Sequence, residues 1–294
     1  MKIVILGSES QIGILFKDKI NNFEFYKLNK KQLDITDIDT ASEILKKIKP
    51  NVIINTAAFT DVDLSELKSE KAFQVNSLGP KNLSKIASDI NSFLIHFSTD
   101  YVFDGAKKSF YVENDSTNPI SVYGKSKLAG ESNIISYCAN YIILRISWLY
   151  GSQKKNFVTE IINLLVKQNK LKVIDDQFSK PTSTKDVYSL LMKILTYIES
   201  GYNLNNIFHY CNEGNFVSRY EFANQIANSY CISNNIEFNI SPISSKIYYK
   251  KQIRPKNSTL NCNKIYKEFK IDPIDWKYSL ENTINHININ MNKS

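Results

Sequence analysis

Cysteine is scarce: Cys138, Cys211, Cys231 and Cys262 stand far apart in 294 residues, with no Cys-x-x-Cys pair and no histidine cluster. That spacing argues against both a zinc site and a disulfide framework, and it predicts a reducing, cytoplasmic setting. No apolar run reaches the ~18 residues of a membrane span, and residues 3–6, behind a single lysine, are too few for a signal-peptide core. Neither a repeat, a Pro/Gly-rich tether nor a low-complexity tract interrupts the chain, so its C-terminal third is expected to pack onto the rest. Charge is not gathered either: the net charge is +8, but the lysines are dispersed, which argues against a nucleic-acid partner. With 43% hydrophobic and 22% charged residues the chain has the composition of a globular protein, long enough for one extended α/β domain or two.

Strand-like segments at 3–6, 24–28 and 52–55 alternate with helical patterns from about Gln11, over 37–49 and across 72–90. Two more apolar strands, 93–98 and 141–147, flank a helix starting near Tyr123. This alternation predicts an α/β fold with a doubly wound parallel sheet, because each parallel connection needs a right-handed crossover. Past Gly151 the pattern loosens into helices over 157–167, 186–198, 220–230 (N-cap Ser218) and near 278–289, with a short strand near Val173.

Gly7-Ser8-Glu9-Ser10-Gln11-Ile12-Gly13 follows the first strand, where a glycine turn lets backbone approach a pyrophosphate at a helix N-terminus. The second strand ends at Asn29-Lys30-Lys31 without the carboxylate that binds a ribose diol, and its lysines suit a 2′-phosphate, so NADPH is expected over NADH, which stays open. The small residues Ala57 and Ala58, between Asn55-Thr56 and Phe59-Thr60, suit a backbone lying against a ligand.

The strongest signal is Tyr123-Gly124-Lys125-Ser126-Lys127, which sets a phenol and an ammonium on one helical face. Hydride transfer to a ketone leaves an alkoxide; a tyrosine whose pKa is lowered by a nearby cation can protonate it. Thr99, in Ser98-Thr99-Asp100-Tyr101, ends the fourth strand, where it is positioned to hold the substrate oxygen.

Together these segments resemble the dTDP-4-dehydrorhamnose reductase family of extended short-chain dehydrogenases/reductases. The resemblance covers nearly the whole chain: 7–13, Leu33-Asp34-Ile35-Thr36-Asp37, 55–60 with Val62, Asp63 and Glu66, Val75-Asn76, 98–105, 123–131, Leu144-Arg145 with Trp148 and Tyr150-Gly151, Asn156-Phe157, Asp175-Asp176-Gln177-Phe178 with Pro181-Thr182, Tyr220-Glu221-Phe222-Ala223, and Arg254-Pro255 with Asn257-Ser258 and Leu260. It implies a catalytic triad of Thr99, Tyr123 and Lys127, with Lys127 also touching the nicotinamide ribose. It implies cofactor contacts at Gln11, Ile12, Gly13, Asp34, Ile35, Ala58, Phe59 and Thr60, beside Gly7, Ser10, Asn29, Lys30 and Ala57, and substrate contacts at Thr99, Asp100 and Trp148. Ser10 stands where many members carry glycine. Some members bind magnesium through acids that include one early in the first helix; Ile14-Leu15-Phe16-Lys17 stands there, so no metal ligand is assigned and Mg2+ stays open.

The expectation is therefore a Rossmann domain binding NADP(H) over residues 1–151, with a smaller substrate-binding α/β region over 152–294 that returns some elements to the sheet. The expected reaction is reduction of dTDP-4-dehydro-β-L-rhamnose to dTDP-β-L-rhamnose, the dTDP-sugar being the partner, with no membrane; a homodimer stays open. Dehydratases need a carboxylate directly after the Thr-Asp, where Tyr101 stands. Two alternatives are carried forward: a non-catalytic regulatory subunit of the same fold, and a reductase of a related dTDP-4-keto-6-deoxysugar.

Overall fold

The computed structural model describes residues 1–168, 170–202, 204–248 and 254–291. The chain runs through β1 (Lys2–Leu6), β2 (Lys19–Ile20), β3 (Phe23–Leu28), α1 (Ile38–Ile48), β4 (Val52–Asn55), α2 (Val62–Leu67), α3 (Ser69–Phe73), α4 (Gly79–Asp89), β5 (Phe93–Thr99), α5 (Val122–Tyr137) and β6 (Tyr141–Ile146). There follow β7 (Leu149–Tyr150), α6 (Phe157–Lys167), β8 (Lys170–Ile174), β9 (Phe178–Ser179), β10 (Thr182–Ser183), α7 (Thr184–Glu199), β11 (Asn205–Tyr210), β12 (Val217–Ser218), α8 (Arg219–Cys231), β13 (Asn239–Ile243), α9 (Ser245–Tyr248), α10 (Asn263–Phe269) and α11 (Trp276–Met291). Seven strands form one sheet in the order β11-β6-β5-β4-β1-β3-β2, with only β2 antiparallel to its neighbour. The expected doubly wound α/β fold is what forms. Strands β4 and β5 are buried on both faces because helices cover each side, which is why they read as unbroken apolar runs.

Sequence chemistry sets the helix ends. Asp37 caps α1 by accepting the Thr40 N–H, and Lys49 closes it in the left-handed region at φ +51°. Ser218 caps α8 as expected, in a reciprocal box with Glu221. A second core is formed by α6, α8, α11, β8 and β13 around Phe222 and Trp276.

Two expected helices differ. From Gln11 the chain makes only a single 3-10 turn, Gly13–Leu15, and then the β2–β3 hairpin through Asn21 at φ +51°. The stretch before Phe23 is too short to hold both a usual helix of about 11–12 residues and its return. Phe16 instead enters the core and packs 5.1 Å from Phe25 and 5.1 Å from Tyr188 of α7, so α7 covers the face the first helix would have covered. The helix expected across 72–90 is broken by a π turn, Gln74–Leu78. There Asn76 clamps the Phe59 backbone, accepting its N–H at 2.8 Å and donating to its carbonyl at 2.9 Å, a demand a regular turn does not meet.

The fixed point between α5 and the sheet is a buried ion pair. Arg145 of β6 donates to Glu131 of α5 through Nε at 2.9 Å and Nη2 at 2.7 Å, and Ser98 of β5 donates to the same carboxylate. Removing one partner strands the other charge away from water. Glu131→Ala is expected to lower unfolding free energy by about 3–5 kcal/mol in urea titrations; a loss below about 1 kcal/mol would show that the pair does not anchor α5.

Candidate active site

At the carboxyl ends of β1, β3 and β4, where the strand order reverses, a cavity of about 340 Å3 opens. Gly7, Ser10, Asn29, Lys30, Asp34, Ile35, Ala57, Ala58 and Phe59 line it. Gly7 has φ +76°, and a Cβ there would lie 2.7 Å from the Ala57 nitrogen; one on Gly13 would lie 2.5 Å from the Gly7 carbonyl oxygen. The turn, the small walls and the lysines fit the adenosine end of a dinucleotide. Lys30 Nζ lies 3.5 Å from Asp34 Oδ2. Burial pulls the Asp34 pKa up, but the Thr36 hydrogen bonds and Lys30 outweigh it and leave the pKa lowered.

The other expected cofactor residues lie elsewhere. Ile12 is in the core, Thr60 is exposed, and the Gly13 N–H is taken by Ser10 Oγ at 2.9 Å. Gln11 lines a separate small cavity with Ser152, Thr184 and His286, and its Oε1 is buried without a hydrogen-bond partner. Lys71 of α3 joins the main cavity. Nothing in its local sequence marks it; the fold carries it there.

Thr99 closes β5. Its hydroxyl accepts the Tyr101 N–H at 3.2 Å, donates to Asp100 Oδ1 at 3.0 Å, and also meets the hydroxyl of Tyr123. Tyr123 stands in the first turn of α5, where Ser121 Oγ accepts the Gly124 N–H, and its ring meets that of Tyr101 edge-on at 5.8 Å. Lys127, one turn along, reaches under β5 to donate to the Phe97 carbonyl at 2.5 Å. Burial raises the Tyr123 pKa, with the Thr99 hydrogen bond opposing, so the lowering expected from the sequence is not found in the protein alone. Burial likewise pushes Lys127 down to about 8, opposed by Glu131.

Asp100 is buried, and its Oδ2 makes no hydrogen bond. Burial pushes its pKa up to about 6, against the opposing pull of the Ser258 and Thr99 hydroxyls and the Arg219 charge. Trp148 is held in the left-handed region at φ +41°, a conformation that costs a non-glycine residue energy and recurs at functional sites. Its ring packs 6.3 Å from Phe222, and the Arg219 guanidinium lies 4.3 Å from its centre. Beyond it a cavity of about 370 Å3 is lined by Phe157, Ile161, Leu171, Arg219 and Arg254. Arg254 Nη2 also pairs with Asp63 of α2 at 2.6 Å. Arg254 was marked in the sequence only as part of the family resemblance and Arg219 not at all, since only folding joins α6, β8, α8 and the loop at 254. Among the described residues no group of His, Cys, Asp or Glu gathers to hold a metal, and no helix is long and apolar enough to cross a membrane.

A family model described as the RmlD substrate binding domain matches residues 1–289. The dTDP-4-dehydrorhamnose reductase of Aggregatibacter actinomycetemcomitans is 38% identical over 288 residues, 96% of this chain and 97% of that protein. A crystal structure of a dTDP-4-dehydrorhamnose reductase from Clostridium acetobutylicum, 36% identical, superposes with a TM-score of 0.90 and covers 98% of this chain and 100% of that one. The Bacillus anthracis reductase in complex with NADP is 30% identical with a TM-score of 0.89, covering 97% of this chain and 99% of that one.

Because burial lifts Asp100 from its ordinary 3.8 to about 6, its ionisation costs stability: the cost is absent below the lower value and complete above the higher. Asp100→Asn removes it. Relative to the parent, the variant is expected to gain on the order of 2–3 kcal/mol between about pH 4 and about pH 8 in denaturant titrations. A difference that stays constant across that range would contradict the buried placement.

Proposed function

The chain belongs to the dTDP-4-dehydrorhamnose reductase family, and from that premise we propose that it reduces dTDP-4-dehydro-β-L-rhamnose to dTDP-β-L-rhamnose, a sugar donor for surface polysaccharide. The observation that carries this reading is the meeting of Tyr123 with Thr99 at the end of β5, between the dinucleotide cavity and the wall of Trp148 and Arg219. NADPH, when bound, supplies the hydride. Tyr123 gives its hydroxyl proton to the C4 oxygen, and Thr99 holds that oxygen while it is negative. Lys127, as an ammonium on the same face of α5, favours the phenolate left behind. Trp148 offers an aromatic surface to the apolar side of the sugar ring, and Asp100 accepts from a sugar hydroxyl. Arg219 and Arg254 suit the diphosphate, and the apolar lining between them suits the thymine.

NADPH is favoured over NADH because Lys30 and Lys71 border the adenosine cavity, while the two carboxylates that line it are engaged, Asp34 by Thr36 and Lys30 and Glu9 by the Asn29 amide. No feature of the site favours a purely regulatory subunit. Tyr123→Phe is expected to lower turnover of the dTDP-keto sugar by about 10² to 10⁴-fold, while NADPH still binds by fluorescence titration. Near-normal turnover by that variant would rule out Tyr123 as the proton donor.

A further inference from the structure

Beneath Lys127 lies a set of contacts that the mechanism above does not use. His96 of β5 is fully buried, and each ring nitrogen faces one partner: Nδ1 lies 3.0 Å from Asn55 Nδ2 of β4, and Nε2 lies 3.2 Å from Lys127 Nζ. The Asn55 amide is oriented by its Oδ1, which accepts the Ala57 N–H at 3.1 Å; turning it in this arrangement would set two donors against each other. An amide nitrogen only donates, so Nδ1 of His96 is the bare acceptor and the neutral ring carries its proton on Nε2. That N–H points at Lys127. The lysine accepts it only as an uncharged amine, since an ammonium has no lone pair.

The charged groups facing this set are few among the described residues. Glu131, one turn along α5, favours the ammonium form of Lys127, but its carboxylate is already bound by Arg145 and Ser98. Tyr123 stands one turn the other way on α5, and β5 contributes the Phe97 carbonyl. Burial keeps His96 well below the usual histidine range, with the Lys127 charge acting in the same direction.

We propose that His96, its tautomer fixed by Asn55, is the positioning residue of Lys127: it donates Nε2–H to the lysine and holds it uncharged against Phe97. The Asn55–His96 pair thereby sets the pH at which Lys127 becomes the ammonium that supports Tyr123. Charging Lys127 takes one proton from solvent and moves the ring proton from Nε2 to Nδ1, leaving His96 neutral. It also requires Asn55 to turn and give up the Ala57 N–H, so the network has two discrete arrangements. The consequence for turnover rests on the reductase reading; the tautomer does not.

Two readouts test it. In histidine-15N-labelled protein without cofactor at about pH 9.5, above the value of about 8 to which burial brings Lys127, the signals lost in His96→Gln belong to His96, and they are expected to show the Nε2-protonated neutral ring. An Nδ1-protonated ring or an imidazolium would overturn the proposal. In Asn55→Asp the carboxylate accepts from both Ala57 N–H and His96 Nδ1–H, so Nε2 becomes an acceptor for the ammonium. The His96 signals should then switch tautomer, which also identifies them if His96→Gln does not fold. The alkaline limb of the kcat profile should move up by roughly one pH unit; an unmoved limb in a folded, active Asn55→Asp enzyme would overturn the proposal. If the parent shows no turnover, the reductase reading fails, and the tautomer measurement still decides this one.

Discussion

A charge taken out of water must find a partner before the chain can close around it, and the seam between α5 and the sheet is organised by that demand. Burying an unpaired ion costs several kcal/mol, more than most single contacts return. Glu131 and Arg145 satisfy it with two hydrogen bonds, and with them α5 is fixed in rotation and height against β5 and β6. That rotation in turn presents Tyr123 to Thr99 and sends Lys127 under the strand. Asp100 is the exception, buried with one oxygen unmatched. Structural pairing and catalytic placement are thus one constraint acting on neighbouring turns of the same helix.

The cofactor end shows a different economy. Its glycine turn is kept, because Gly7 and Gly13 stand where any side chain would strike backbone. The helix that such a turn normally opens has shrunk to a single 3-10 turn, and α7 closes the core in its place through Tyr188 and Phe16. A full helix dipole is therefore not available to a pyrophosphate. Lys30 and Lys71 line the cavity beside that turn.

Most of the fold was legible because its signals are local. Parallel strands buried on both faces read as apolar runs, and Asp37 and Ser218 announce the helices they cap. The meeting of Thr99 with Tyr123 was legible because a strand-end threonine and a Tyr-x-x-x-Lys pair each occupy a short stretch. What was missed depends on distance or on length. The pattern after Gly13 is helical, but only the return of the chain to pair with β1 shows that no helix fits. The π turn answers to Phe59, reached from Asn76 only after folding. Lys71 and Arg219 are unmarked in the sequence and Arg254 stands out only through the family resemblance; α3, α8 and a late loop bring them to the cavities. The Tyr123 pKa went against expectation because burial outweighs the Thr99 hydrogen bond, while the helix-face lysine is turned toward Phe97.

The central claim is a hydride delivered to the C4 keto carbon of a dTDP-sugar lying between Tyr123 and the dinucleotide cavity. NADPH deuterated at its transferable position, mixed with purified protein and dTDP-4-dehydro-β-L-rhamnose made in situ, tests it in one NMR spectrum of the product. Deuterium on C4 of dTDP-β-L-rhamnose is the predicted result. A product without deuterium at C4, or no product while the dinucleotide remains bound, would contradict it.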